Sequence, residues 1–365
     1  MQQKTICFYP THQKRTNHFL FNLAKLLESS GCFKCVGYKD VKKSNPKSIF
    51  DADIYHINWF DQSKTFVSFL KRLYFLLMLK CKRKKIVWTI HNIVSHAKTP
   101  FYNKILFKLL VRFSDKIHIM CKDTVKIAHL EKYADKIQLI PHGDYYGSYP
   151  ESDFDIYARY NITRGRPIFL FTGAIQPYKN IEVLVQAFKK AWPSNLPESA
   201  LQGGSGEVSP MLLICGKVEP ESYKESIQQL LDNRDDIVFD PQFIPDEKLA
   251  AYIKSAGVLM APYSYRSSLN SGTIPLAFSY GKTLICSDIP CVKDIVAKCD
   301  CLYSYHYATE EEHVESLSNM MKQAYSDLIS GKIFEKENNA VRYMKSNAWE
   351  ARKKEWLSLY GEASC

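Results

Sequence analysis

Several features are missing from this chain of 365 residues, and each absence narrows what it does. No run of apolar residues reaches the length of a bilayer span, which argues against a transmembrane helix. The 11 cysteines form no disulfide framework. Cys32 and Cys35 make a lone CxxC and Cys299 and Cys301 a close pair, without the second CxxC or clustered His that a zinc site needs. Buried structural thiols in a reducing compartment are the expectation. Nothing resembling a secretory leader stands before the strand-like residues 5–9, so the expected location is the cytoplasm.

Acidic residues are short in one half only. Residues 1–165 carry 28 Lys and Arg against 13 Asp and Glu, a balance of +15, while the remainder stands at −4. Two halves of opposite character imply two domains with different partners. At 46% hydrophobic residues the chain is long enough to bury two cores. A basic half suits nucleic acid, an anionic membrane or a phosphate-bearing acceptor. Nucleic acid calls for aromatic and basic residues on one shared face. Here the basic residues instead sit beside long apolar runs, FVSFLKRLYFLLMLKCKRKK at 66–85 and FYNKILFKLLVRF at 101–113. Lys80, Lys82, Arg83, Lys84 and Lys85 close the first run, and Lys104, Lys108 and Arg112 fall on one side of the second. Both read as interfacial amphipathic helices, or as core-packed helices with solvated basic faces.

Strand-like runs alternate with helical patterns throughout, which predicts doubly wound α/β domains. Residues 53–61 and 85–90 read as strands that end in polar groups, Asp61 and His91. Parallel strands offer such ends to a ligand crevice, although either residue also serves as an ordinary helix cap. In the second half, residues 168–171 lead into a loop holding Gly173 and Lys179. Glycine there allows close backbone approach, and the lysine reaches a phosphate. The rest is organised around residues 258–290, VLMAPYSYRSSLNSGTIPLAFSYGKTLICSDIP. It reads as strand, polar loop, a helix starting at Ser271, Gly272 and Thr273, a left-handed cap at Gly281, and a second strand. Those residues suit a phosphate, with Arg266 adding a bidentate charge; a plain Ser-capped helix is the other reading.

Residues 261–290 resemble the donor-site segment of GT-B glycosyltransferases, most closely the family-4-type enzymes of bacterial polysaccharide assembly. Weaker motifs extend the resemblance over nearly the whole chain: His56 to Trp59 as "HxxW", Thr89 to Asn92 as "T-x-H-N", and the linker-like Pro141, His142 and Gly143. The resemblance implies two doubly wound Rossmann-like domains facing a cleft. Residues 1–150 would form an acceptor-binding, membrane-facing domain and residues 151–345 a nucleotide-sugar-binding domain. The last helix, at 338–359, would cross back so that 346–365 join the first. It further implies donor contacts at Gly173, Lys179, Arg266, Ser271, Gly272 and Thr273, with Phe243 in the loop that meets the nucleotide base. His91 would lie near the transferred sugar, and Asp61 or His91 would be the acceptor-side base. Three departures stand out: the phosphate-loop arginine is Ala174, the two glutamates of retaining members are Ser268 and Leu276, and the first loop lacks glycine. Inversion is therefore expected.

The function so implied is transfer of a sugar from a nucleotide-diphosphate sugar to an acceptor hydroxyl. The acceptor would be a lipid-linked or other oligosaccharide in cell-surface polysaccharide synthesis. The enzyme would need no metal and no cofactor beyond the donor, since no DxD-type motif sits at a fitting loop. It would lie peripherally on the inner face of the cell membrane, against anionic lipid and without nucleic acid. A GT-B-fold nucleotide-sugar epimerase or phosphorylase, a basic nucleic-acid-binding protein and a catalytically dead scaffold are the alternatives. Turnover of a nucleotide sugar without acceptor marks the first, and a salt-sensitive shift with duplex DNA the second.

Overall fold

The computed structural model describes residues 3–13, 17–92, 100–193, 209–266 and 268–362. Lys14 and Arg15 of the first loop, and most of the low-complexity stretch at 192–210, lie outside the described residues. The chain divides into two compact units, Met1–Gly143 with Ser346–Cys365, and Asp144–Lys345.

Each unit is built on a six-stranded parallel sheet. In the first, β1 (Lys4–Tyr9), β2 (Phe33–Gly37), β3 (Ile54–Asn58), β4 (Lys85–Thr89), β5 (Lys116–Ile119) and β6 (Ile137–Leu139) stand in the order β2-β1-β3-β4-β5-β6. In the second, β7 (Ile168–Thr172), β8 (Met211–Cys215), β9 (Ile237–Asp240), β10 (Val258–Ala261), β11 (Leu284–Ser287) and β12 (Tyr303–Tyr305) stand in the order β12-β11-β10-β7-β8-β9. Strands covered by helices on both faces need apolar residues at every position. That is why β7 reads IFLFT and β8 MLLIC, buried throughout. In open sheets of this kind the direction of winding reverses once, and ligands bind beyond the strand ends at that reversal. It falls between β1 and β3 in the first sheet and between β7 and β10 in the second.

The helix after β1, His18–Ser29, begins where the Asn17 side chain accepts from the Leu20 amide at 3.1 Å. Its apolar face buries Phe19, Leu20, Leu23 and Leu27. Trp349, Trp356, Leu359 and Tyr360 pack into the same core. The single helix expected at 338–359 is in fact two, Ile333–Asn347 and Lys353–Leu359. Between them Arg352 donates to the Asn347 side chain at 3.0 Å, and the break turns Trp349 inward over Gly143. Any side chain at 143 would meet that indole at 2.2 Å, so only glycine fits.

A buried polar chain crosses the first sheet. The His118 Nε2 donates to the Ile140 carbonyl at 2.8 Å, which leaves Nδ1 to accept from the Thr89 hydroxyl at 3.0 Å. Thr89 in turn accepts from His56 Nε2 at 2.7 Å, and His56 Nδ1 accepts from the Tyr360 hydroxyl at 2.7 Å. One acceptor at the end thus sets the tautomer of both histidines, and every donor points the same way.

Burial pushes His118 down to about 4 and holds His56 and His91 well below the ordinary histidine value. His313 in the second unit is likewise lowered by burial, to about 4. In the unfolded chain such groups titrate near about 6.5, so between these values the unfolded state binds more protons. Their stabilising contribution is complete above about 6.5 and is lost as pH falls toward 4. Asp61, raised by burial to about 6, and Glu337, raised in the same way, work in the opposite direction, but two carboxyls stand against these four histidines and His12, which burial also lowers. The unfolding midpoint should therefore fall steadily as pH drops below about 6.5. A midpoint that rises through that window in a thermal melt would contradict this balance.

Candidate active site

In the second unit the loop after β7 and the loop after β10 meet at the winding reversal. The backbone turns sharply at Gly173 (φ +116°), whose amide donates to the Cys215 carbonyl at 3.2 Å. Gly216 ends β8 alongside it, and a side chain there would stand 1.8 Å from the Gly173 carbonyl oxygen. The two glycines are a matched pair, and together they let the loop lie flat over the strand ends. A short 3-10 turn, Pro177–Lys179, follows, and Asn180 in left-handed conformation starts the Ile181–Ala191 helix. The Asn180 side-chain nitrogen donates to the Pro262 carbonyl at 2.8 Å, and the Ser264 backbone amide to the Tyr178 carbonyl at 3.1 Å. These bonds stitch the two loops together.

Lys179 is the outcome of that stitching. Its ammonium sits over the faces of Phe171 (5.6 Å) and Tyr263 (5.5 Å), 3.6 Å from where a side chain on Gly173 would begin. No carboxylate pairs with it among the described residues, and burial lowers its pKa to about 8. The Tyr263 hydroxyl hydrogen-bonds the Thr273 hydroxyl at 2.8 Å, and the Thr273 amide donates to the Ser271 hydroxyl at 3.2 Å. Gly272 is exposed between them, with the Tyr145 hydroxyl 3.3 Å from its missing Cβ. The helix that follows is short, Thr273–Ser279.

Gly173, Lys179, Ser271, Gly272 and Thr273 are thus brought together, with Tyr263 as the bridge. Arg266 is turned elsewhere: exposed, it donates to the Tyr265 hydroxyl (3.2 Å) and the Ala308 carbonyl (3.3 Å). Tyr265 also raises its pKa. Phe243, 68% exposed, stands in the loop after β9. Ser268 is buried, its amide donating to the Ser264 carbonyl at 3.1 Å, and Leu276 packs in the core. Tyr263 and Gly216 escaped the sequence reading. The signal for Gly216 was a second glycine directly after a buried strand, in register with Gly173.

In the first unit Asp61 and His91 lie past β3 and β4, neighbours in register. Trp59 takes a left-handed conformation (φ +49°) and turns the chain. Arg72, from the Phe66–Cys81 helix, clamps that turn by donating to the carbonyls of Trp59 (3.2 Å) and Phe60 (2.6 Å). Asp61 is buried, and burial raises its carboxyl to about 6 against the opposing pull of its own backbone amide and of Arg72. His91 stacks on Trp59 (4.1 Å, 16°), and its Nε2 lies 2.9 Å from the Asn58 oxygen. Burial, with His118, His142 and His56 nearby, keeps it neutral. The donor-side cluster suits an anion, and Asp61 suits proton transfer near neutral pH.

The family of glycosyl transferases group 1 matches residues 153–345, more than half the chain and all of the donor-side cluster. No curated protein sequence matches. Similar solved structures include HepE of Anabaena in complex with UDP-glucose (TM-score 0.66, 13% identity, 98% of this chain and 99% of that one). Another is sucrose-phosphate synthase of Thermosynechococcus elongatus (0.68, 15%, 98% of each chain). A third is WaaG, a glycosyltransferase involved in lipopolysaccharide biosynthesis (0.59, 12%, 98% of this chain and 100% of that one). At such identities the likeness is one of fold, and that fold is GT-B, two parallel six-stranded sheets with flanking helices. By its family match over 153–345, and in agreement with that fold, the chain belongs to the glycosyl transferases group 1 family.

Proposed function

We propose that the protein transfers a sugar from a nucleotide-diphosphate sugar, with inversion, to a hydroxyl of a lipid-linked oligosaccharide at an anionic membrane surface. The observation that carries the donor half is Lys179, a buried ammonium with aromatic faces around it and no carboxylate partner among the described residues. A buried cation without a counter-charge is costly unless a ligand brings the charge. A diphosphate against Lys179, with the hydroxyls of Ser271 and Thr273 and the backbone at Gly173 and Gly272 beside it, meets that need. Negative charge builds on the diphosphate as it leaves, and a fixed ammonium in a low-dielectric pocket stabilises it without metal or further cofactor. Phe243 is the residue for the base to stack on. The likeness to HepE, solved with UDP-glucose, supports a UDP-sugar as the first donor to try.

On the acceptor side, Asp61 takes the proton of the attacking hydroxyl. As the oxygen bonds the anomeric carbon, the diphosphate departs with the electron pair of the old glycosidic bond. His91, neutral, orients a hydroxyl. Absence of the glutamate pair, with Ser268 and Leu276 in its place, favours this single displacement.

The surface reading rests on two adjoining helices. Phe66–Cys81 exposes Phe66, Val67, Leu70, Tyr74 (61%) and Leu77 along one stripe, and Phe101–Phe113 exposes Phe101 (66%) and Ile105. Tyr102 packs on both Phe66 (5.9 Å) and Phe69 (5.5 Å), joining the stripes. Lys71, Lys104, Lys108 and Arg112 are exposed among these residues. Of the basic run at 80–85, Lys80 lies 4.0 Å from Asp115 and Lys84 reaches the Asp51 carbonyl at 3.5 Å, so the stripe lysines carry the argument better. No helix among the described residues is long and apolar enough to cross a membrane, which leaves insertion of side chains into the headgroup boundary.

Three outcomes test this reading. Lys179→Ala should weaken nucleoside diphosphate binding by about 1.5–3 kcal/mol in calorimetry, while bare nucleoside binding hardly changes. Equal losses for both ligands would make Lys179 a structural residue. The transfer rate should fall as pH drops through about 6, where Asp61 gains its proton, and Asp61→Asn should remove both the activity and that limb of the profile. Finally, the protein should sediment with vesicles containing anionic lipid, less so in high salt and little with neutral lipid. Changing Lys71, Lys104, Lys108 and Arg112 to Gln should release it with donor binding intact. A protein that stays in the supernatant at low salt points to a soluble acceptor.

A further inference from the structure

Asp61 stands in a turn beyond the sheet. Asn58 is the last paired residue of β3, and past it the side chains of two helices take hold of the backbone. On the near side of Asp61, Arg72 donates to the carbonyls of Trp59 (3.2 Å) and Phe60 (2.6 Å). On the far side, Asn103 of the Phe101–Phe113 helix engages both backbone groups of Ser63. Its side-chain oxygen accepts from the Ser63 amide at 2.9 Å, and its nitrogen donates to the Ser63 carbonyl at 3.2 Å.

Asn103 is out of place by local measures. It shares the buried face of its helix with Leu106 and Leu110, and is itself only 6% exposed. Packing alone would take an apolar residue there, and asparagine is a weaker helix former than leucine. The reason lies across the contact. A buried backbone amide and carbonyl must both be paired. Leucine at 103 could serve neither and a carboxylate only the amide, whereas a carboxamide serves both. Turning that carboxamide over would set donor against donor and acceptor against acceptor, so its orientation is fixed.

We infer that Asn103 is a positioning residue: with Arg72 on the other side of the turn, it holds Asp61 where the acceptor's proton is taken. The inference rests on the reading above that Asp61 is the base. A segment anchored at 59, 60 and 63 cannot swing residue 61 out to water without breaking these bonds. With the anchors in place, burial dominates at the carboxyl and holds it at about 6. Its own backbone amide and Arg72, the charged group acting on it, pull the other way. Loosening the turn admits water, and a hydrated carboxylate returns toward the ordinary value of about 4. Losing Asn103 should therefore lower the value, with Arg72 still present.

The test reads the carboxyl directly. With aspartate labelled in carbon-13 and Asp61→Asn used to assign the resonance, wild-type Asp61 should titrate at about 6. Asn103→Leu leaves both Ser63 groups unpaired, and Asn103→Ala leaves room for water to take them. Each should move the midpoint down toward about 4. With UDP-glucose as donor and water as acceptor, each should also lower kcat for UDP release by on the order of tenfold, with donor KM unchanged. A wild-type midpoint at about 4 overturns the inference, even if neither variant folds. So does an unmoved midpoint in a folded Asn103 variant. If the midpoints behave as inferred but Asp61→Asn releases UDP at the wild-type rate, the reading of Asp61 as the base falls, and with it the positioning role of Asn103.

Discussion

Everything in the cluster around Lys179 depends on one close approach of backbone to backbone. The carbonyl of Gly173 occupies the space that any side chain at Gly216 would need, and a Cβ there would lie 1.8 Å away. Because the loop after β7 can lie this low, the next turn brings Lys179 in between Phe171 and Tyr263 instead of out into solvent. The buried charge is a consequence of chain geometry set on the neighbouring strand. A larger residue at 216 would lift the loop, and the ammonium would escape to water, where a single exposed charge binds a phosphate far more weakly.

The first unit solves a different problem with different means. Its sheet carries buried histidines on β3 and β5 and a third just past β4, and buried histidines are an invitation to trouble unless each ring nitrogen has a partner. A single terminal acceptor, the Ile140 carbonyl, fixes the tautomer of His118 and then of His56, ending at Tyr360 from the last helix. Hydrogen-bond direction is what makes these rings behave as single species, because reversing it would set acceptor against acceptor at the Ile140 carbonyl.

The alternation of strands and helices was legible because parallel strands buried on both faces cannot be other than apolar runs, as β7, β8 and β10 show. The glycine and lysine of the loop after β7 stood out for the same local reasons, since loop chemistry is written in adjacent residues. What was not legible came from contacts distant in sequence. Tyr263 looks like any loop aromatic until Lys179 is seen beneath it. Arg266 has the right charge and the right position in the chain, yet its neighbours Tyr265 and the Ala308 carbonyl claim the guanidinium. The break at 348–352 hides in a helical pattern because its cause, the space that Gly143 leaves for Trp349, lies two hundred residues upstream.

The Phe66–Cys81 helix has two faces with unrelated duties, and Arg72 marks the boundary between them. Outward lie Leu70, Tyr74 and Leu77; inward, Arg72 holds the carbonyls of Trp59 and Phe60, and with them the turn that leads to Asp61. One terminal nitrogen of the guanidinium reaches both carbonyls, its N–H directions fixed in the plane of the group, whereas an ammonium of similar charge rotates freely. The outer face is therefore free to drift in sequence as the enzyme adapts to new surroundings, while position 72 is not. Anyone redesigning this helix for solubility has an outer stripe to rewrite, with Arg72 and the buried Phe69, Phe75, Leu76 and Leu79 to leave alone.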